Sequence, residues 1–170
     1  MAGCGSSPNS TKYEVGSGTT IQAYAGICGA QDIQPNSDPH FHAISFDEIS
    51  NFVTIGNGAT CAALTATGNS LPVIAALTNS GISIPVGTPF TLTGSATDVN
   101  GDALSYTWEQ MNAGTSTTTN PSTTATAGPL FRSRLYSTNP FRTFPILASV
   151  LDGTNGNQWE RLPGVARTLN

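Results

Sequence analysis

Phe90-Thr91-Leu92-Thr93-Gly94-Ser95 and Leu104-Ser105-Tyr106-Thr107-Trp108-Glu109 carry the reading of the fold. In each stretch apolar and polar residues alternate with a period of two, the pattern of a strand with one face covered and one face wet. Between them lies Asp98-Val99-Asn100-Gly101-Asp102, in which Asn100-Gly101 is a strong turn signal. Pro129-Leu130-Phe131, Phe141 to Leu147 and Ala166 to Leu169 are weaker strand candidates. Residues 112–127, rich in Thr, Ser and Ala, read as a long exposed loop. Residues 81–170 are therefore expected to form an all-β sandwich with Trp108 in its core. The last candidate strand runs straight to Asn170, so the sandwich is expected to be incomplete.

Upstream, the polar stretch Thr65-Ala66-Thr67-Gly68-Asn69-Ser70 marks a linker, taken as residues 65–80. Before it the period changes to that of a helix. Ser45-Phe46-Asp47-Glu48 has the form of a capping box, with Ile44 and Ile49 as its hydrophobic staple. Phe46, Ile49, Phe52 and Val53 then fall on one helical face, and Gly56 and Gly58 stop the element. The pattern predicts a helix over 46–54. Residues 1 to about 37, broken by Gly16, Gly18, Gly26 and Gly29, read as loop.

The chain has 170 residues, of which 38% are hydrophobic and 9% charged, with a net charge of −4. That length suits one ordinary domain or two small pieces. No basic stripe is available to displace counterions from a phosphate backbone, which argues against nucleic acid as a partner. No apolar run approaches the roughly 20 residues needed to span a bilayer. Low charge with abundant Gly, Ser, Thr and Asn is the usage of a secreted or cell-surface β-rich protein. Met1 is followed by neither a positive nor an apolar region, so no signal peptide is read in this chain. Cys4, Cys28 and Cys61 make an odd count: one pair can close, and the third thiol is either free and buried or has its partner in other sequence.

Taken alone, the residues hold no complete catalytic set. His40-Phe41-His42 places two imidazoles two residues apart, on the same side of an extended segment. That is half a zinc site, for which Asp38, Asp47 or Glu48 can supply an oxygen; the alternative is that both histidines are structural or surface groups. No glycine-rich phosphate loop precedes a helix, and no G-x-S-x-G elbow is present. Asp98, Asn100 and Asp102 alternate as hard oxygen ligands for calcium do, but lack the closing glutamate of a calcium hand. They serve equally as turn formers.

Two stretches together resemble a known family. Tyr13-Glu14-Val15-Gly16-Ser17-Gly18-Thr19-Thr20-Ile21-Gln22-Ala23-Tyr24-Ala25-Gly26-Ile27-Cys28-Gly29, followed by Asn36-Ser37-Asp38-Pro39-His40-Phe41-His42-Ala43-Ile44-Ser45, resembles the reprolysin-like (metzincin) zinc metallopeptidases of secreted bacterial proteins, in the part after the zinc-binding helix. The stretches from Phe90 to Asp98 and Asp102 to Gln110, with Gly128 to Ser133, Arg142 to Pro145 and Leu162 to Leu169, resemble the Ig-like module that follows that domain. The resemblance implies a C-terminal catalytic subdomain at 1–64, the linker at 65–80 and an Ig-like sandwich at 81–170. It implies zinc in the full-length parent, a polypeptide substrate and hydrolysis of internal peptide bonds by zinc-activated water.

The family's H-E-x-x-H-x-x-G-x-x-H motif is absent from this chain, and His40 and His42 do not match it and inherit no ligand role. Neither zinc nor activity is therefore expected of this chain alone. The family's methionine-containing turn corresponds to Thr20-Ile21-Gln22-Ala23-Tyr24, with Gln22 at the methionine position. Tyr24 stands where some relatives carry a tyrosine near zinc, and can steady an oxyanion or simply pack. The resemblance also implies a Cys4–Cys28 disulfide across the turn, leaving Cys61 for a partner outside the chain. The competing reading is a non-catalytic extracellular adhesion or binding module.

Overall fold

The computed structural model describes residue 4 and residues 8–61, 63–78, 80–114, 121–154, 156 and 159–170. The chain is loop-rich, with few helices and small antiparallel sheets. In chain order its main elements are helix α1 (Ala43–Thr54), strands β1 (Val73–Ile74), β2 (Phe90–Thr93), β3 (Ala96–Thr97) and β4 (Phe141–Phe144), and helix α2 (Leu147–Leu151). β1 pairs with β3 and β2 with β4, both antiparallel, and each sheet has two strands.

The apolar core is built on β2 and β4. Leu130, Phe131, Phe144 and Leu162 are buried, with Phe90, Leu92, Trp108 and Leu169 packed against them. Phe90 and Phe144, opposite each other in the ladder, stack with ring centroids 5.0 Å apart, and Phe131 meets Phe144 edge-on at 5.1 Å. Trp108 is partly buried there and donates from Nε1 to the Pro140 carbonyl at 3.1 Å.

An Ig-like sandwich is not shown, and the reason lies in who takes the backbone groups. Among the described residues the expected strand 104–109 does not pair with 90–95, and its backbone pairing is one isolated bridge, Tyr106 to Ser137. The carbonyl of Trp108 accepts instead from the Arg142 guanidinium. Gln110 Oε1 accepts both the Leu130 and Phe131 amides, at 2.8 and 3.2 Å. Asn112 donates from Nδ2 to the Thr168 carbonyl and accepts the Asn170 amide at Oδ1, and the Met111 amide donates to Asn170 O, so the candidate strand 166–169 is held beside 111–112 without a ladder among the described residues. Where side chains satisfy buried amides and carbonyls, no continuous ladder is required. Of the expected exposed loop over 112–127, residues 115–120 lie outside the described residues. Its flanks are anchored: Gly114 N–H donates to Lys12 O, and Arg167 holds the carbonyls of Ala125 and Gly128. The expected strand over 141–147 ends at Phe144 and gives way to α2.

α1 starts three residues earlier than the capping box predicts. Its N-cap is His42, whose Nδ1 accepts from the Ile44 amide at 3.3 Å, while Glu109 Oε2 accepts from the Ala43 amide. With those amides already served, Ser45 lies inside the helix, buried, its hydroxyl without a partner among the described residues. The C-terminal end follows expectation in kind: the amides of Ile55 and Gly56 both reach Asn51 O, and the chain leaves at Gly56. Among the described residues nothing covers the apolar face Phe46, Ile49, Phe52 and Val53; Phe46 is 62% and Phe52 56% exposed.

Candidate functional site

The segment that resembles the methionine-containing turn is a turn here. Ala23 N–H donates to Thr20 O at 3.0 Å, and Tyr24 N–H to Ser17 O at 2.9 Å. The turn is fixed from inside by Glu14, whose side chain is buried. Glu14 Oε1 accepts the Thr19 and Thr20 amides at 2.8 and 3.2 Å, and Oε2 accepts the Thr20 hydroxyl at 2.7 Å. Gly16, at φ +56°, permits the entry to this arrangement, since a Cβ there would stand 2.7 Å from Gln31 O and from the Trp159 ring. Cys4 and Cys28 are joined, clipping the segment on its far side, where Asp32 Oδ1 also accepts the Gly26 and Cys28 amides. Cys61 is free and exposed.

Gln22 is exposed at the tip, and Tyr24 is 40% exposed. A shallow depression of about 180 Å³ lies beside the turn, lined by Gln22, Ser45, Glu48 and Ile49. The turn and the exposed face of α1 therefore share one surface. Replacing Glu14 by Gln is expected to cost about 1 kcal/mol, because the amide keeps an oxygen for the two backbone N–H groups and can donate to Thr20, losing only the charge assistance. Urea unfolding checks the value, and amide hydrogen exchange at Ile21–Ala23 is expected to quicken.

His40 and His42 do turn toward one partner, and it comes from far along the chain. Thr19 O accepts from Asp38 N–H and His40 O from Ile21 N–H, which lays residues 38–40 alongside the turn. Beyond them, His40 Nε2 is 3.2 Å from Ser133 Oγ, and that hydroxyl donates to Glu109 Oε1. Glu109 also stands 3.6 Å from His40 Nε2 and 3.8 Å from His42 Nδ1. The second of these is not an ion pair. His42 Nδ1 accepts the Ile44 amide and so carries no proton, and burial lowers the His42 pKa to about 4. Burial acts oppositely on Glu109, raising its pKa, against the Ser133 and Ala43 hydrogen bonds that favour the carboxylate.

This arrangement does not make a nucleophile. Ser133 is buried, and the carboxylate sits with the hydroxyl at His40 Nε2 while His40 Nδ1 has no partner among the described residues. A Ser–His–acid relay needs the acid on the other ring nitrogen. Nor do these residues fit zinc: among the described residues no three His, Cys, Asp or Glu side chains converge on a shared metal position, and His42 Nδ1 is already engaged. Asp38, Asp47 and Glu48 do not complete such a set. At the other candidate, Asp98 Oδ1 accepts the amides of Asn100 and Asp102, and Asn100 Oδ1 accepts the Ser70 amide at 2.9 Å. Those oxygens form the turn and hold the linker to it. Sequence reasoning did not single out Glu109, Ser133 or Glu160; the available signal was the rarity of charge, which makes each acidic residue on an apolar segment a candidate buried acceptor.

No protein family, curated protein or solved structure matches this chain. No helix among the described residues is long and apolar enough to cross a membrane. The disulfide is of the kind that persists in an oxidising compartment.

Proposed function

We propose that this chain is the downstream part of a secreted zinc-dependent metalloendopeptidase. Residues 1–64 are its C-terminal catalytic subdomain, 65–80 a linker and 81–170 an Ig-like module. The observation that carries the reading is the Thr20–Ala23 turn: a buried carboxylate locks it from within, while Gln22 and Tyr24 face outward beside an uncovered apolar helix face. A hydrogen-bonded turn beside an uncovered apolar face suits a floor beneath a metal centre, and the residue pattern around it resembles that of the reprolysin-like peptidases. The metal ligands and general base belong to other sequence of the parent. Tyr24 is the side chain of this segment proposed to donate to an oxyanion there. One observation favours the second reading, a non-catalytic extracellular binding module: the exposed amide of Gln22 replaces the apolar thioether that the family places under zinc.

The test uses the natural parent, captured with antibody raised against this chain. The expected result is stoichiometric zinc by elemental analysis and cleavage of unfolded protein that a chelator abolishes, with the separately produced chain showing neither. A captured parent without zinc and without peptidase activity overturns the reading in favour of the binding module.

A further inference from the structure

Asn-Gly occurs at Asn57, Asn100 and Asn155, of which Asn155 lies outside the described residues. An asparagine before glycine carries a latent reaction: the glycine amide nitrogen attacks the asparagine side-chain carbonyl, with no Cβ to obstruct the approach. In a folded chain the reaction is restrained when the side-chain amide and the glycine N–H are both engaged. At Asn100 they are. Oδ1 accepts the Ser70 amide at 2.9 Å, Nδ2 donates to Gly68 O at 3.4 Å, and the Gly101 N–H donates to Asp98 O at 3.3 Å. Asn57 differs in both respects. It is exposed, and its side chain has no hydrogen bond among the described residues. It opens the short 3₁₀ turn Asn57–Thr60, where the Ala59 amide reaches Gly56 O and the Cys61 amide reaches Gly58 O. The Gly58 N–H is one of the orphan donors at the start of that turn and has no partner among the described residues. Glycine is nonetheless required there, since a Cβ at Gly58 would stand 2.5 Å from the Phe52 ring and 3.0 Å from Phe52 O. The residue that fits against Phe52 is the one that leaves Asn57 open to attack.

We propose that Asn57-Gly58 is a self-modification site, at which the chain slowly and irreversibly converts its own backbone. The Gly58 nitrogen bonds to Asn57 Cγ, the bond from Cγ to the side-chain nitrogen breaks, and that nitrogen leaves as ammonia with the Gly58 amide proton. Water then opens the resulting succinimide at either carbonyl, giving aspartate or isoaspartate. Water is the one co-reactant. Either product places a negative charge three residues beyond Thr54, the last residue of α1, where the helix dipole is itself negative. Isoaspartate also adds a methylene to the main chain beside the close contact of Gly58 with Phe52. The amides of Ile55 and Gly56, which close α1 on Asn51 O, are therefore expected to open more often in the converted chain. This inference does not rest on the metallopeptidase reading.

The test is ageing of the full chain in mildly alkaline buffer, once folded and once in urea. Chymotryptic peptides are read by mass spectrometry, and isoaspartate is labelled with isoaspartyl methyltransferase. In the folded chain Asn57 is expected to convert about tenfold faster than Asn100, because hydrogen bonds of ordinary net strength restrain the latter alone. In urea, where those bonds are gone, the two rates are expected to converge. Asn57→Gln, whose longer side chain closes the ring poorly, is expected to abolish conversion at this position. Hydrogen exchange at Ile55 and Gly56 is expected to quicken several-fold in the aged native chain but not in aged Asn57→Gln. The comparison of Asn57 with Asn100 lies within one molecule and stands whether or not the variant folds. Conversion at Asn57 no faster than at Asn100 in the folded chain overturns the proposal, as does conversion at neither. So do a contrast that persists undiminished in urea and an aged chain whose exchange at Ile55 and Gly56 is unchanged.

Discussion

Replacing Glu160 by alanine is expected to destabilise the chain by about 3–5 kcal/mol, read as a fall in the urea midpoint with unchanged slope. The Glu160 side chain is fully buried, and both of its oxygens are hydrogen-bonded. Oε1 accepts from Arg134 Nε at 2.7 Å and from Arg142 Nη2 at 2.9 Å, and Oε2 accepts the Ile146 amide at 2.7 Å. Of the two guanidiniums, Arg142 is the one that cannot retreat to water. Its side chain is 11% exposed, and burial lowers its pKa to about 10 even against the pull of Glu160. Arg142 also binds the carbonyls of Trp108 and Arg132 and lies over the Phe144 ring at 4.5 Å. It therefore joins β4 to two segments that have no ladder with it. Deleting the carboxylate strands that cation and orphans the Ile146 amide. Arg134, 31% exposed, can regain hydration, so Arg134→Met is expected to cost much less in the Glu160→Ala background than in the native chain. A loss below about 1 kcal/mol for Glu160→Ala would show that the core stands without this network.

The same network marks the boundary of what the sequence made legible. Alternation located β2, because Phe90 and Leu92 do face a core. It placed an equally regular strand at 104–109, where among the described residues the backbone pairs only at Tyr106. Nothing in the local pattern distinguishes the two, since the group that takes the Trp108 carbonyl is a side chain 34 residues away. The helix was legible from its apolar period, but not its start: the local cap at Ser45 lost to Glu109, whose carboxylate takes the Ala43 amide across 66 residues. Periodicity also says which residues share a face without saying whether anything covers it, as the exposed Phe46 and Phe52 show. At the candidate site, His40 and His42 stood out by composition. Their common partner Glu109 did not, because pairing across the chain is a property of the fold and not of spacing.

His42 makes this junction sensitive to acid. Its pKa is near 4 in the folded chain against 6.5 in the unfolded one, so between those values the unfolded state holds a proton that the folded state excludes. The stability tied to a neutral His42 is fully present above pH 6.5 and is lost as pH falls toward 4, by about 3 kcal/mol over the whole window. The groups facing the ring are Glu109, His40 and, at 6.1 Å between centroids, Tyr13. Glu109 works in the opposite sense: its raised pKa gives a contribution present below its ordinary value of 4.5 and lost as pH rises through the folded value. The two partly cancel in the native chain, and a simple pH profile will understate both. His42→Asn separates them, since asparagine at the N-cap can still accept from the Ile44 amide but does not titrate. The stability difference, native minus His42→Asn, is expected to fall by about 3 kcal/mol from pH 7 to pH 4. The corresponding difference for Glu109→Gln is expected to fall in the other direction, as pH rises. Urea midpoints at closely spaced pH values provide both curves. A flat His42→Asn difference would mean that protonation does not disturb the first turn of α1, which the single contact from His42 Nδ1 to the Ile44 amide argues against.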